Sequence, residues 1–339
     1  MTHSHTVRVR YVDCDMQGVV YNAHYLTYID DAFDCWIREY DWNFEKKLEV
    51  EVMLKSVQIV WHSPARFGDV LKLESQVTRW GNSSFDITPA WKKRPTCIMF
   101  IHGIGADRNI WDDWLPFLTG QYSIISVDLP GHGKSEPLHL KQDLTFDFYH
   151  EIIASIAAKE NKNNLVLIGE SMGGTIALYA ASKMHGQVKA VATCSTAHRG
   201  GSLQHVNTWQ NQIESDGIEA WSLDMLEKRF FPNSTTDAIR DWFHKTQCTS
   251  DAKSFLKMAS LLVTSDLTSE LDKVLAPVLL MQPDSSPFIP LDIPVELKEL
   301  LPAGQLKLIP KARHGIACSH SEDCAIETQR FLNAAEVSR

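Results

Sequence analysis

The sequence predicts an α/β protein with a mainly parallel sheet, preceded by an incomplete α+β unit. Three observations predict it. From about residue 95 onward, short continuous apolar runs alternate with helical stretches, the pattern of parallel strands buried on both faces. Residues 1–91 instead carry one long helical pattern followed by alternating strand patterns. The length of 339 residues is that of about two domains.

The first unit opens with a strand pattern, Thr6 to Tyr11, and a turn, Asp13-Cys14-Asp15-Met16-Gln17-Gly18. A helix is expected from Asn22 to Tyr40, because Tyr25, Ile29, Ala32, Phe33, Trp36 and Tyr40 recur at helical spacing, with Asn22 as its N-cap. Val57, Ile59 and Trp61 alternate with polar residues, as do Leu71, Leu73, Ser75 and Val77. Gly81-Asn82-Ser83-Ser84 signals a turn, after which Phe85 and Ile87 resume the alternation. Trp91-Lys92-Lys93-Arg94-Pro95 is basic, ends in Pro and marks the boundary of the unit.

The second unit, residues 95–339, is expected to place strands at Cys97–Ile101, Ile124–Val127, Leu165–Ile168, Val188–Thr193, Val278–Met281 and Leu306–Ile309. Helical patterns fall between them, as at Leu144–Lys159 and Thr175–Met184. Residues 200–275 interrupt the rhythm with helical, aromatic-rich sequence, including Trp209, Trp221, Phe230, Phe231, Trp242, Phe243 and Phe255.

Composition narrows the function. Hydrophobic residues make up 44% and charged residues 22%, which excludes a disordered or fibrous chain. The formal net charge of -9 argues against nucleic acid or an anionic membrane as partner. The 7 cysteines are odd in number and form no Cys-x-x-Cys pair, so neither a disulfide scaffold nor a structural zinc is expected. The first ten residues lack an apolar core and no run of about 18 apolar residues occurs, so the expected location is cytoplasmic.

Gly169-Glu170-Ser171-Met172-Gly173-Gly174 follows a strand and precedes a helix, the context of a nucleophile elbow. A serine on such a turn is exposed at the carboxyl edge of the sheet, where a helix N-terminus favours developing negative charge. Three further motifs lie in order: Ile101-His102-Gly103-Ile104-Gly105 ends the first strand, Asp128 to Ser135 ends the next, and Lys311-Ala312-Arg313-His314-Gly315 follows the last. His102 and His132 sit in turn motifs and read as structural, and His320 reads as a surface residue.

On these motifs the second unit resembles the α/β-hydrolase fold, in the group of lid-bearing serine esterases, lactonases and carbon–carbon hydrolases. The resemblance implies Ser171 as nucleophile, His314 as general base, the N–H groups of Ile104 and Met172 as oxyanion hole, and residues 200–275 as lid. The acid of such a triad usually stands directly before a Pro in the loop after Val278–Met281. That slot holds Ser286, and Asp284 is the only carboxylate of the loop before Pro287, so Asp284 is assigned as the acid. The alternative position reads Cys194-Ser195-Thr196, without a carboxylate.

In the first unit, the run from Val9 to Tyr25, with Asp13-Cys14-Asp15-Met16-Gln17-Gly18-Val19-Val20-Tyr21 followed by Asn22-Ala23-His24-Tyr25, resembles hotdog-fold acyl-CoA thioesterases of the 4-hydroxybenzoyl-CoA type. So does Val60-Trp61-His62-Ser63-Pro64-Ala65-Arg66-Phe67-Gly68-Asp69. The resemblance implies Asp15 as nucleophile or base, N–H groups near Tyr21 and Asn22 polarising a thioester carbonyl, and a homodimer. It also implies further strands after the Phe85–Ile87 pattern, where this chain turns at once into the second unit. The expected activity is hydrolysis of an ester or acyl-CoA thioester, without metal or other cofactor. The alternative is carbon–carbon bond or lactone hydrolysis, with the first unit serving for dimerisation or acyl binding.

Overall fold

The computed structural model describes residues 2–39, 55–59, 65, 67, 69–81, 84–93, 96–119, 122–138, 144–160, 162 and 164–337. The chain forms two compact units, Met1–Pro95 with Thr119–Ser123, and Thr96–Leu118 with Ile124–Arg339.

In the first unit, β1 (Thr2–Arg8), α1 (Asn22–Glu39), β2 (Val70–Trp80) and β3 (Phe85–Lys93) follow one another. The strands form an antiparallel sheet of order β1-β2-β3 among the described residues. Strand β1 starts and ends earlier than the Thr6–Tyr11 pattern suggests. The reason is Asp13, whose buried carboxylate accepts the amide and guanidinium of Arg10 and folds the chain into a 3₁₀ turn over Tyr11–Asp13. Helix α1 begins at Asn22, so Asn22 is its first residue rather than its cap. Its buried face is Tyr25, Tyr28, Ala32 and Trp36. Tyr28 takes the place expected of Ile29, because its hydroxyl donates to Asp13 Oδ2 at 2.7 Å. Residues 55–59 form no strand, and Val57 is about half exposed, at 48%. Trp61, like residues 60–64, 66 and 68, lies outside the described residues.

In the second unit the elements are β4 (Thr96–Ile101), a 3₁₀ segment (Arg108–Trp114), α2 (Leu115–Leu118), β5 (Ser123–Val127), α3 (Phe146–Lys159), β6 (Asn164–Glu170), α4 (Met172–Lys183) and β7 (Val188–Cys194). After an insertion come β8 (Val278–Pro283), α8 (Asp292–Leu300), β9 (Gly304–Ile309), α9 (Ile316–Ser319) and α10 (Ser321–Val337). The sheet order is β5-β4-β6-β7-β8-β9, with parallel pairing from β4 through β9. Helix α4 packs on β6 and β7, and α10 on β7 and β8. The central strands β4, β6 and β8 are therefore buried apart from the first residues of β4 and β6, which is why they read as continuous apolar runs. Each Leu or Ile removed from water here contributes roughly 1.5–3 kcal/mol.

The insertion between β7 and β8 carries α5 (Trp209–Arg229), α6 (Asp237–Thr249) and α7 (Ala252–Thr264). Helix α5 is broken at Gly217, whose φ of 85° lies in a region that side chains disfavour. Among the described residues no helix is long and apolar enough to cross a membrane.

Candidate active site

Ser171 stands between β6 and α4 with φ 52° and ψ -120°, a strained conformation for a residue with a side chain. Surrounding packing enforces it. Its N–H donates to the Cys194 carbonyl at 2.8 Å. A side chain at Gly173 would strike the carbonyls of Ile101 and His102, so only glycine lets α4 approach β4 this closely. The serine hydroxyl faces His314, with Oγ 3.1 Å from Nε2.

His314 lies in the loop after β9 and is buried, 4% exposed. Burial, and then the nearby Arg229 guanidinium, push its pKa well below the usual imidazole value. Its backbone carbonyl accepts the Ser195 hydroxyl at 2.6 Å, and its ring meets Phe288 edge to face at 4.8 Å. For Nε2 to take a proton from Ser171, Nδ1 must carry the ring hydrogen.

Asp284 does not reach that nitrogen. Its carboxylate accepts the amides of Lys311 at 2.8 Å and Ala312 at 3.1 Å and the Ser285 hydroxyl at 3.0 Å. Partial burial works against its ionisation, but these donors outweigh it and hold its pKa below the ordinary carboxylate value. Asp284 thus braces the loop two residues ahead of the histidine. The partner of Nδ1 is Ser286, with Oγ at 3.2 Å. The assignment of the acid to Asp284 fails because the loop turns that side chain onto the 311–312 backbone and presents the next residue but one to the ring.

No hydrogen bond to the N–H of Ile104 or Met172 occurs among the described residues, and Met172 opens α4. The strand-end loop that carries Ile104 is latched by two buried histidines. His102 Nδ1 donates to the Gly103 carbonyl at 2.8 Å while its Nε2 accepts the Leu129 amide at 2.9 Å. His132 Nε2 accepts the Gly105 amide at 3.2 Å, and its Nδ1 donates to the Pro130 carbonyl at 3.1 Å. Burial, with the neighbouring His132 second, lowers the pKa of His102 to about 3, so this ring is neutral and structural, in line with the sequence reading. His320 is partly buried and bonds Ser319 Oγ at 2.9 Å.

A buried ion pair not anticipated from the sequence ties these loops together. Glu170, immediately before the serine, is fully buried, accepts Arg229 Nη1 at 3.0 Å and takes the Gly103 amide at 2.9 Å on its other oxygen. Arg229 Nη2 donates to the Ile104 carbonyl at 3.0 Å, and the Arg229 carbonyl accepts the Gly315 amide at 2.9 Å. Its neighbours join in. Arg313 bonds the Glu227 carbonyl and lies over the Phe231 ring at 4.4 Å. The only sequence signal for this was a carboxylate ending an otherwise apolar strand.

The insertion also supplies aromatic surface beyond His314. Trp209 meets Phe288 at 6.0 Å and Phe255 at 5.7 Å, and Trp221 meets Phe255 at 4.7 Å. Trp209 Nε1, Trp221 Nε1 and Gln247 Nε2 are buried donors without a hydrogen-bond partner among the described residues.

In the first unit, Asp15 is engaged in its own turn. Its Oδ1 accepts the Gln17 amide at 2.8 Å and the Val19 amide at 3.4 Å, the arrangement of an Asx turn. The Tyr21 amide, expected to polarise a thioester carbonyl, donates to the Asp13 carbonyl at 2.9 Å. Among the described residues, ligand atoms of His5, Asp31 and Cys35 lie within 4.8 Å of one another, with Asp31 exposed. His5 Nε2 and Asp31 Oδ2 are already bonded at 2.9 Å.

The parallel sheet with its flanking helices, and a serine on a strained elbow facing a buried histidine from the last loop, give the second unit the α/β-hydrolase fold. Residues 96–216 match the family described as alpha/beta hydrolase fold, and residues 9–107 match that described as thioesterase-like superfamily. Over 244 residues the chain is 26% identical to the pimeloyl-[acyl-carrier protein] methyl ester esterase of Neisseria meningitidis serogroup A, covering 69% of this chain and 76% of that protein. It is 26% identical over 153 residues to the 2-succinyl-6-hydroxy-2,4-cyclohexadiene-1-carboxylate synthase of Escherichia coli, covering 45% of this chain and 55% of that protein. The enol-lactonase from Burkholderia xenovorans LB400 superposes with TM-score 0.64 at 17% identity, covering 78% of this chain and 97% of that one. An esterase from Thermogutta terrifontis superposes with TM-score 0.63 at 17% identity, covering 78% and 94%.

Proposed function

We propose that the second unit hydrolyses carboxylic esters or thioesters through a covalent acyl-serine. Ser171 attacks the carbonyl carbon, His314 Nε2 takes the hydroxyl proton, and the N–H groups of Ile104 and Met172 hold the oxyanion. Water then attacks the acyl-enzyme, with His314 again the base. The observation that carries this reading is the 3.1 Å approach of Ser171 Oγ to His314 Nε2 at a backbone strained to expose the hydroxyl. The relatives that are esterases support an ester as the bond broken. Residues 200–275, with their aromatic side chains, are assigned as the lid and acyl site.

A fluorophosphonate that labels wild type and leaves Ser171→Ala unlabelled is the expected result. Folded wild type that resists labelling overturns the reading. The enol-lactonase and the synthase among the similar proteins favour a second possibility for the same site, lactone or carbon–carbon chemistry. A substrate panel compared between wild type and Ser171→Ala separates the two.

For the first unit the match to a thioesterase-like superfamily supports an acyl-CoA role, in which Asp15 would carry a second thioesterase site shared between two copies of the chain. The test is acyl-CoA hydrolysis in Ser171→Ala against Ser171→Ala/Asp15→Asn. Equal residual rates remove Asp15 from catalysis and leave the unit a binding or dimerisation module.

A further inference from the structure

The catalytic loops bring a serine, not a carboxylate, to the second nitrogen of the base. We infer that the Ser286 hydroxyl holds the third place behind Ser171 and His314, and that the site is therefore built for acyl donors with stable anionic leaving groups, thioesters and aryl esters, rather than for alkyl esters. This rests on the assignment of Ser171 and His314 above.

Ser286 Oγ lies 3.2 Å from His314 Nδ1 and also accepts the amides of Phe288 at 3.3 Å and Ile289 at 3.2 Å. Among the described residues no carboxylate is hydrogen-bonded to the ring. A hydroxyl oxygen has two lone pairs and one hydrogen. With two amides on it, Oγ is a poor acceptor for Nδ1–H, so the tautomer with hydrogen on Nδ1, the one that can act as base, is held only weakly. A carboxylate would orient the ring and stabilise the imidazolium that forms, whereas a neutral hydroxyl under two amide dipoles orients it only weakly and brings no charge to the imidazolium. Arg229, paired with Glu170, is the charged group that acts on the ring, and its sign adds to the disadvantage.

The consequence falls on the steps that need the imidazolium as an acid. In acylation the Ser171 oxygen bonds the acyl carbon, its proton moves to Nε2, and the carbon–leaving-group bond breaks. A thiolate or phenolate departs as the anion, whereas an alkoxide must take the proton as it leaves. In deacylation a water oxygen bonds the acyl carbon, its proton moves to Nε2, and the leaving group is the Ser171 alkoxide, which takes that proton back. Deacylation is thus the slow step even with an activated donor, and acyl-enzyme accumulates. The loop is meanwhile wired for an anion: the amides of Phe288 and Ile289 already point at the side chain of residue 286.

The test compares wild type, Ser286→Ala, Ser286→Thr and Ser286→Asp on matched thioester, aryl ester and methyl ester substrates, with pre-steady-state kinetics and pH profiles. Wild type is expected to give a burst of thiol or phenol close to one equivalent per site and to turn over the methyl ester at least about 100-fold more slowly. Ser286→Asp should raise methyl ester turnover by about 10-fold or more, shrink the burst and move the acid limb of the pH profile upward. Ser286→Thr, which keeps the hydroxyl, should resemble wild type, and Ser286→Ala should lower kcat with KM little changed. Burst labelling of Ser171 with no change in leaving-group preference or pH profile in Ser286→Asp and Ser286→Ala overturns the inference while the serine mechanism stands. Failure of Ser171 to form any acyl-enzyme overturns both.

Discussion

Ser171 and His314, singled out by local chemistry and chain order, lie 3.1 Å apart, which supports the proposed site. A glycine-flanked serine between an apolar strand and a helical pattern fits a sharp turn, and the histidine follows the last strand of the alternation. Asp284 was misread because spacing along a loop does not say which way it turns. Its carboxylate was captured by the Lys311 and Ala312 amides, donors that no sequence pattern announces. Asp284→Ala should therefore act on the loop and not on the proton relay. We expect a stability loss of about 1 kcal/mol from the orphaned amides, read by thermal melting, with a reduced kcat and an unshifted leaving-group preference. The buried His314 titrates below the usual imidazole value, so the base stays neutral on going from neutral to mildly acidic pH. The acid limb of kcat/KM is expected below pH 6.5, and an acid limb above it would contradict this. The same sign applies to stability. An imidazole protonated in the unfolded chain but not in the fold favours unfolding as pH drops through about 6.5.

Among the elements, the strands of the second unit were legible because burial on both faces leaves an uninterrupted apolar signature. Strand β1 was displaced by a side-chain effect, the Asp13–Arg10 turn that ends it. The insertion was visible as helical and aromatic, but its attachment to the neighbouring loops was not, since much of it runs through residues 227–231 at the end of α5, with Arg229 at the centre. Removing one partner of a buried ion pair costs about 3–5 kcal/mol because the other is left uncompensated. Arg229→Met is thus expected to destabilise by that order, measured by denaturant unfolding. Glu170→Gln/Arg229→Met should recover part of the loss without restoring kcat, because the Ile104 carbonyl still lacks its donor. Equal kcat in wild type and double mutant would show the pair to be only structural.

Across the whole molecule, the two family matches overlap at residues 96–107, and β4 lies in that overlap. Strand β4 lies between β5 and β6 in the parallel sheet, and the first unit has three strands among its described residues. Its small core leans on Asp13. Burial opposes ionisation there, but hydrogen bonds from Arg10 and Tyr28 bring the pKa down from 3.8 to about 2. The resulting stabilisation, at most about 2 kcal/mol, is complete above the unfolded value and is lost as pH falls toward 2. Near-ultraviolet circular dichroism of wild type should change over that range, while Asp13→Asn, already weakened at neutral pH, should show a flatter acid response.

The bond between Gly315 and Arg229, and the bonds of Arg229 to Glu170 and Ile104, bear on how such an enzyme can diversify. Insertions of this kind invite the picture of an interchangeable cassette, swapped between lineages to change substrate while the chemistry is inherited intact. Here the insertion carries Arg229, a strut of the loops around Ser171 and His314. A chimaera that replaces residues 209–264 wholesale would keep Ser171 and His314 but lose the Arg229 bonds that brace their loops. One that keeps residues 227–231 and exchanges the rest would keep the strut, so the seam along which substrate range can be recombined runs through the end of α5, not at the borders of the insertion.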